Sequence, residues 1–211
     1  DADHPWVHVE RATVLEELDR YPEALEAARR ALELRPWFRP GVQCTAHVLV
    51  LLDRRDEALE LLSEASRHLQ SASIHGQRAA LLAQQRRHAE AMQALDEYER
   101  LSPLLEPGGA RWLAGLRSDS AYATGDLTAA VTHARAAGGF HLRIADRLEA
   151  SLAATEPDAG RVELELPFIR QHQDTCAPAS MAMVCAYWDM PVDHLELAAE
   201  ICYDGTPSHA E

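Results

Sequence analysis

A cysteine near the C-terminal end of the chain has the clearest capacity for chemistry. Cys176 comes just before Pro178, and residues 178–188 have the apolar content of a buried helix. Proline fits the first turn of a helix, where its missing N–H would have no partner in any case. The spacing therefore predicts that Cys176 lies at or beside a helix N-terminus. Unpaired N–H groups and the helix dipole favour the thiolate there, which is the nucleophilic form of cysteine.

A glutamine shortly before the cysteine could complete a site for acyl transfer. Gln171 precedes Cys176 by five residues. A side-chain amide at such a place can stabilise the oxyanion of a tetrahedral intermediate, beside the backbone N–H of the cysteine. The structural alternatives are a surface amide at Gln171 and an ordinary helix-start cysteine at Cys176, because short local motifs also occur by chance.

The surrounding run resembles a known peptidase family. Gln-His-Gln-Asp-Thr-Cys-Ala-Pro-Ala-Ser, at residues 171–180, with Met-Ala-Met-Val behind it, is similar to the bacteriocin-processing peptidases, papain-like cysteine enzymes that cleave after double-glycine leaders. Residues 191–198 look like the second helix of such domains. Ala177 stands where the family has Gly, and the Gln lies closer to the cysteine than in the stricter members.

The resemblance implies roles for individual residues. Cys176 would be the nucleophile and Gln171 the oxyanion stabiliser, with a His and an Asp or Asn supplied by strands far downstream. The chain ends before such strands and does not begin with Met, so we expect a segment of a longer protein. His194 and His209 are weaker candidates for the general base, because exposed histidines are common.

The remaining cysteines do not indicate a metal site. Cys44, Cys185 and Cys202 form no Cys-x-x-Cys pair with one another or with Cys176. Cys185 and Cys202 are expected to be buried small apolar residues. A zinc set could be imagined from His172, Cys176, Cys202 and His209, but it has no recognisable ligand spacing. No metal and no cofactor is predicted.

The first three quarters of the chain is repetitive. Residues 22–26, Pro-Glu-Ala-Leu-Glu, recur as Asp-Glu-Ala-Leu-Glu at 56–60, an offset of 34. They recur again as His-Ala-Glu-Ala-Met at 88–92, a further 33 on when the Glu-Ala pairs are aligned. That is the period of a two-helix repeat. The predicted hairpins pair residues 7–18 with 22–34, 42–52 with 57–69, 74–85 with 89–101, and 110–123 with 127–137, followed by a lone helix at 140–153.

Small residues recur at matched places in these helices and allow close packing. They are Ala12, Ala46 and Ala79 in first helices and Ala24, Ala58, Ala91 and Ala129 in second helices, with Leu15, Leu49 and Leu82 between them. The pattern resembles tetratricopeptide repeats, although the family's first-helix Trp and Gly are missing and the fourth unit departs most. A helical-hairpin array of another kind is the alternative.

The tetratricopeptide resemblance implies a superhelix whose first helices line a concave face that binds a protein or peptide. Candidate binding residues on those helices are Arg11, Gln43, His47, Arg78 and Arg111. The alternative is a spacer whose arginines are only solvated. The oligomeric state is left open by the sequence.

Charge and hydropathy exclude several classes of partner. The formal net charge is −14, of which −9 belongs to residues 156–211. Such a surface repels phosphate backbones, so nucleic acid is not expected as a partner. No apolar run approaches the roughly 20 residues that span a bilayer, and with no disulfide framework indicated the expected location is the cytoplasm.

The sequence thus predicts a mainly α chain in three parts. Residues 1–154 form a tetratricopeptide-like α-α superhelix with a capping helix. Residues 155–166 form a linker and a short strand, predicted from the alternation at 162–166. Residues 167–211 form the first helices of a truncated α+β papain-like domain. The expected function is a protein-binding array carrying a domain that hydrolyses or transfers peptide acyl groups. The alternative is a non-enzymatic interaction module with a degenerate peptidase-like tail.

Overall fold

The computed structural model describes residues 3–153, 164–172 and 175–201, and their regular secondary structure is entirely helical. The chain forms two compact units, one of residues 1–14 and 21–158 and the other of residues 15–20 and 159–211. The helices are α1 Pro5–Glu17, α2 Tyr21–Leu34, α3 Arg39–Leu51, α4 Arg55–His68, α5 Ala72–Gln84, α6 His88–Arg100, α7 Pro107–Thr124, α8 Leu127–Ala137, α9 His141–Ala153, α10 Cys176–Tyr187 and α11 His194–Ile201.

The hairpin repeats predicted from the 34-residue period are present. Helix α3 packs on α4, α5 on α6, and α7 on α8, and each second helix also packs on the first helix of the next hairpin. First helices of successive repeats are neighbours too, since α3 contacts α5 and α5 contacts α7. Helix α9 packs on α8 as the predicted lone helix.

Each hairpin turns in the same way. The first or second residue after the first helix has a positive φ. The next N–H bonds to a carbonyl five residues back, which is a Schellman-type helix end. The turn residues are Asp19, Asp53, Arg86 and Gly125, with φ of 57°, 58°, 59° and 85°. The bonds are Arg20 to Leu15, Arg54 to Leu49, Arg87 to Leu82 and Asp126 to Ala121, at 2.8 to 2.9 Å.

The small residues of the repeats form the core. The predicted alanines of the first three hairpins are fully buried, namely Ala12, Ala24, Ala46, Ala58, Ala79 and Ala91. In the fourth hairpin the prediction was wrong by one residue, because Ala130 is fully buried and Ala129 is not. The turn explains the register, since Ala24, Ala58, Ala91 and Ala130 each follow their left-handed turn residue by five positions.

Helix α7 begins earlier than predicted. The first helix of the fourth hairpin was expected to begin at residue 110, but it starts at Pro107 with Glu106 as its N-cap. Proline is favourable at this position because its fixed φ suits the first helical turn. The two following glycines are carried into that turn, although they lower helix propensity by about 1 kcal/mol each relative to alanine.

In the second unit, α10 packs on α11. The described residues 164–172 have no regular secondary structure, so the strand predicted at 162–166 does not appear over residues 164–166. Residues 162–163 lie outside the described part. Helix α10 ends with the same kind of turn as the repeats, since Asp189 has a φ of 57° and the Met190 N–H bonds to the Cys185 carbonyl at 2.9 Å.

Candidate functional site

Cys176 is the first residue of α10, as the position of Pro178 led us to expect. The N-cap residue is Thr175, whose side chain makes no capping hydrogen bond to the helix. Its Oγ1 instead accepts from the His172 N–H at 2.8 Å and donates to the His172 carbonyl at 2.9 Å. The first turn therefore lacks a Thr175 cap, and Pro178 contributes no N–H to it. Cys176 is half-buried in this turn.

Gln171 is not joined to Cys176 by a hydrogen bond. Its side chain is exposed. Within the part of the chain that the structure describes, the Gln171 amide makes no hydrogen bond. The side chain predicted to donate to the oxyanion is therefore exposed to solvent in this structure.

The second unit contains a histidine pair that sequence reasoning missed. The His172 Nδ1 lies 2.7 Å from the Asp19 Oδ2, in the part of the unit formed by residues 15–20. The His172 ring stacks on His194, with centroids 5.4 Å apart and planes 12° apart. His194 was expected to be exposed, but it is 9% exposed and its Nε2 is buried without a partner. Contacts across 153 residues leave no local signal in a sequence.

The three cysteines of the described residues form no disulfide there. Cys44, Cys176 and Cys185 are all half-buried, so Cys185 is less buried than expected. Among the described residues, no group of three or more His, Cys, Asp or Glu side chains could hold a metal ion. Cys202 and His209 lie outside those residues.

The predicted binding residues all lie on first helices, and none of the clefts described for the first unit is lined by more than one of them. Arg11, His47 and Arg111 are exposed, while Gln43 and Arg78 are half-buried. Arg11 lines a polar cleft of about 190 Å³ with glutamates of α2. The Gln43 carbonyl accepts from the Gln77 side-chain amide at 3.1 Å, which joins α3 to α5. The Arg78 Nε is buried without a hydrogen-bond partner.

First and second helices differ in how they use arginine. Every arginine on α2, α4, α6 and α8 forms an ion pair, as in Arg30 with Glu33 at 2.8 Å and Arg100 with Glu97 at 2.7 Å. A side-chain hydrogen bond from Arg100 lowers the pKa of Glu97. On first helices and α9, within the described part of the chain, six of seven arginines form neither an ion pair nor a hydrogen bond, namely Arg11, Arg39, Arg78, Arg111, Arg143 and Arg147.

A groove with apolar side chains in its lining lies between α7 and α9 of the first unit. Its volume is about 590 Å³, and its lining residues are Ser118, Asp119, Tyr122, Ile144, Arg147, Leu148 and Ser151. None of the five predicted binding residues lines it. The spacing of Ile144, Leu148 and Ser151 along α9 was the available sequence signal, but in a predicted capping helix it indicated only packing.

Comparison with protein families gives a match in the C-terminal part of the chain. Residues 163–211 match the model of the Peptidase_C39 like family. No curated protein matches the chain. Helix α10 and Cys176 lie within the matched residues.

Three solved structures illustrate the similarity of the chain's fold to known proteins. The MamA RS-1 ArsTM double mutant has a TM-score of 0.52 and 17% identity over 73% of this chain and 80% of its own. The APC/C hetero-tetramer Cut9-Hcn1 has a TM-score of 0.55 and 14% identity over 100% of this chain and 36% of its own. YrrB, described as a TPR protein with an unusual peptide-binding site, has a TM-score of 0.50 and 14% identity over 100% of this chain and 93% of its own.

At these identities the likeness concerns the fold. No helix in the described residues is long and apolar enough to cross a membrane. The chain is therefore a tetratricopeptide-type helical array followed by a region similar to the Peptidase_C39 like family.

Proposed function

We propose that the repeat unit binds a protein or peptide and that the region after it acts on peptide acyl groups through Cys176. The observation that carries the enzymatic part is the position of Cys176 at the first residue of α10, inside the segment that matches the peptidase family. A helix N-terminus stabilises a thiolate through the dipole and the first N–H groups.

The chemistry follows from that position. The Cys176 thiolate attacks the carbonyl carbon of a peptide bond, and the oxyanion of the tetrahedral intermediate collapses with release of the amine. Water or another nucleophile then takes the acyl group from the sulfur. In the family that the motif resembles, the proton for the leaving amine comes from a His that follows the cysteine in the chain.

Gln171 is proposed as a donor to the oxyanion. Its amide is exposed and not engaged in hydrogen bonds within the described residues, so it is available to swing toward a bound substrate. The removal of one oxyanion donor typically lowers kcat by roughly a hundredfold or more. In a protein with measurable hydrolysis, Gln171→Ala would lower kcat more than it raises KM.

On the repeat unit, we propose that the first helices carry the binding surface. Arg11, Arg78 and Arg111 make no ion pair or hydrogen bond in the described part of the chain, whereas the arginines of second helices are all paired. Uncommitted cations are available to a partner's carboxylates without the loss of an existing pair. Gln43 and His47 lie on α3 and belong to the same proposed surface. YrrB, which has a related fold, is described as having a peptide-binding site.

The test is the pH dependence of iodoacetamide alkylation at each cysteine, followed by mass spectrometry of the folded protein. Cys44 and Cys185 are matched controls, because all three described cysteines are half-buried and outside any disulfide of the described residues. Cys176 is expected to react faster than both controls below neutral pH, because only Cys176 begins a helix.

The controls separate activation from access. Denaturation in urea should equalise the rates, since the helix terminus is then lost. If folded Cys176 reacts no faster than Cys44 and Cys185 across the pH range, the nucleophile proposal is wrong. The chain is then better described as an interaction module with a degenerate peptidase-like segment.

A further inference from the structure

The groove between α7 and α9 has the size and lining of a peptide subsite. About 590 Å³ lies within the range of about 300 to 1,000 Å³ that is usual for ligand sites. Ile144 and Leu148 are apolar lining residues from α9, and Tyr122 contributes a 39% exposed aromatic ring from α7. This lining matches one aliphatic or aromatic side chain.

The polar groups of the groove are arranged so that one cation is left without a partner. Arg147 lies between two acidic residues in the sequence, Asp146 and Glu149, but both are bound by Arg135 at 2.6 Å. Within the described residues Arg147 makes no ion pair and no hydrogen bond. Its positive charge is therefore not neutralised by the carboxylates nearest to it on α9.

The opposite wall holds the only acidic lining residue of the groove among the described residues, Asp119. Its carboxylate is 62% exposed and lies 3.9 Å from the His141 Nε2. The Ser118 hydroxyl is already committed, since it donates to the Ala130 carbonyl at 3.0 Å. The strongest uncommitted polar group that lines the groove is thus the Arg147 guanidinium, which favours a carboxylate as its partner.

We propose that this groove binds a protein segment that inserts an apolar side chain over Ile144 and Leu148 and places an adjacent Asp or Glu carboxylate on Arg147. This inference rests on the proposed protein-binding function of the repeat unit and names its partner chemistry and its subsite. The binding residues expected from the sequence do not include any residue of α9, because all of them precede that helix in the chain.

The test begins with selection of a phage-displayed random dodecapeptide library on the immobilised chain. Enriched peptides are expected to carry an apolar residue with Asp or Glu within two positions. Synthetic versions with the acid changed to Gln or to Lys are then compared by fluorescence anisotropy. Loss of the carboxylate is expected to weaken binding by about tenfold, the usual size of one charge-assisted contact.

Two variants locate the site. Arg147→Gln should weaken the acidic peptide by about tenfold and leave its Gln version unchanged. Arg143→Gln is the matched control, because Arg143 is an exposed and unpaired arginine of the same helix that does not line the groove. Ser151→Trp, at a lining position, should block all the peptides, with circular dichroism showing an unchanged helix content.

The outcomes separate this inference from the proposed function. The groove proposal is wrong if the enriched peptides lack an acidic residue, or if Arg147→Gln and Ser151→Trp leave their binding unaffected. The repeat unit would then bind peptides elsewhere, and its proposed binding function would stand. If no peptide is enriched, both the groove and peptide binding by the array are contradicted. The proposal for Cys176 is judged separately by its alkylation.

Discussion

The two units of the chain are encoded in different ways. In the repeats, a left-handed turn residue and a buried alanine five positions after it recur in each hairpin. In the second unit, His172 and His194 owe their places to contacts that occur once. Periodicity therefore predicts the first unit, whereas the second offers only local signals, such as Pro178 before its first helix, and a family resemblance.

The units also differ in what they bury. The first unit buries most of its repeated alanine and leucine side chains. By contrast, the apolar side chains of α10 and its C-cap include four that are between 36% and 66% exposed, namely Met181, Val184, Tyr187 and Trp188. Burial of apolar surface is the main source of stability, at about 25 cal/mol per Å². The contrast predicts that cooperative stability resides in the repeats, and substitutions can test this.

The largest expected effect is on the core of the repeats. Leu62→Ala should lower the free energy of unfolding by about 2 to 5 kcal/mol, because Leu62 is fully buried on α4 and its truncation leaves a cavity. Met181→Ala on α10 is the contrasting change, with an expected loss below about 0.5 kcal/mol at a 46% exposed position. Urea unfolding followed by far-UV circular dichroism measures both. Equal losses would remove the contrast between the units.

The turn of the fourth hairpin should give the next largest effect. Gly125 has a φ of 85°, and an added Cβ would meet no atom within 4 Å. Gly125→Ala should therefore cost about 1 to 2 kcal/mol from left-handed backbone strain alone. Gly108→Ala in the first turn of α7, which is also open, should instead be neutral or slightly stabilising, since alanine has the higher helix propensity. A similar loss at both glycines would contradict the role given to the turn.

A smaller effect on stability is expected from two ion pairs of the repeats, one between helices and one within a helix. The Arg117 side chain is 14% exposed and bridges α7 to two acids of α6, Asp96 at 2.6 Å and Glu99 at 2.9 Å. Arg117→Gln should lower the free energy of unfolding by about 1 kcal/mol, the upper end for pairs whose acids are exposed. Arg67→Gln breaks a pair with Glu64 inside α4 and should cost less than about 0.5 kcal/mol. Thermal unfolding of the two variants gives the comparison, which fails if their losses are equal.

What the sequence predicts correctly follows from local rules. Alanine spacing and polar turns locate the hairpins, and Pro178 places Cys176 at a helix start, because these features act within a few residues. The register of Ala130 was missed because it is set by the left-handed turn residue Gly125, five positions before it, and not by the spacing of the alanines. The groove and the pairing of His172 with Asp19 were missed because they depend on side chains brought together from distant segments, which no single-sequence pattern encodes.

The last prediction concerns pH and a buried histidine of the repeats. His75 is 8% exposed, and its Nδ1 is buried without a partner. Burial lowers the pKa of His75 below its ordinary value of 6.5, Glu97 opposes this, and Arg78 and Arg100 add to it. Between the lowered pKa of the native state and 6.5, the unfolded chain therefore binds more protons than the native chain.

The stability that neutral His75 contributes should be complete above pH 6.5 and be lost as pH falls from 6.5 through the lowered pKa of the native state. His75→Gln should flatten that part of the profile in urea titrations at several pH values. An unaltered profile in His75→Gln would assign the acid sensitivity to other groups.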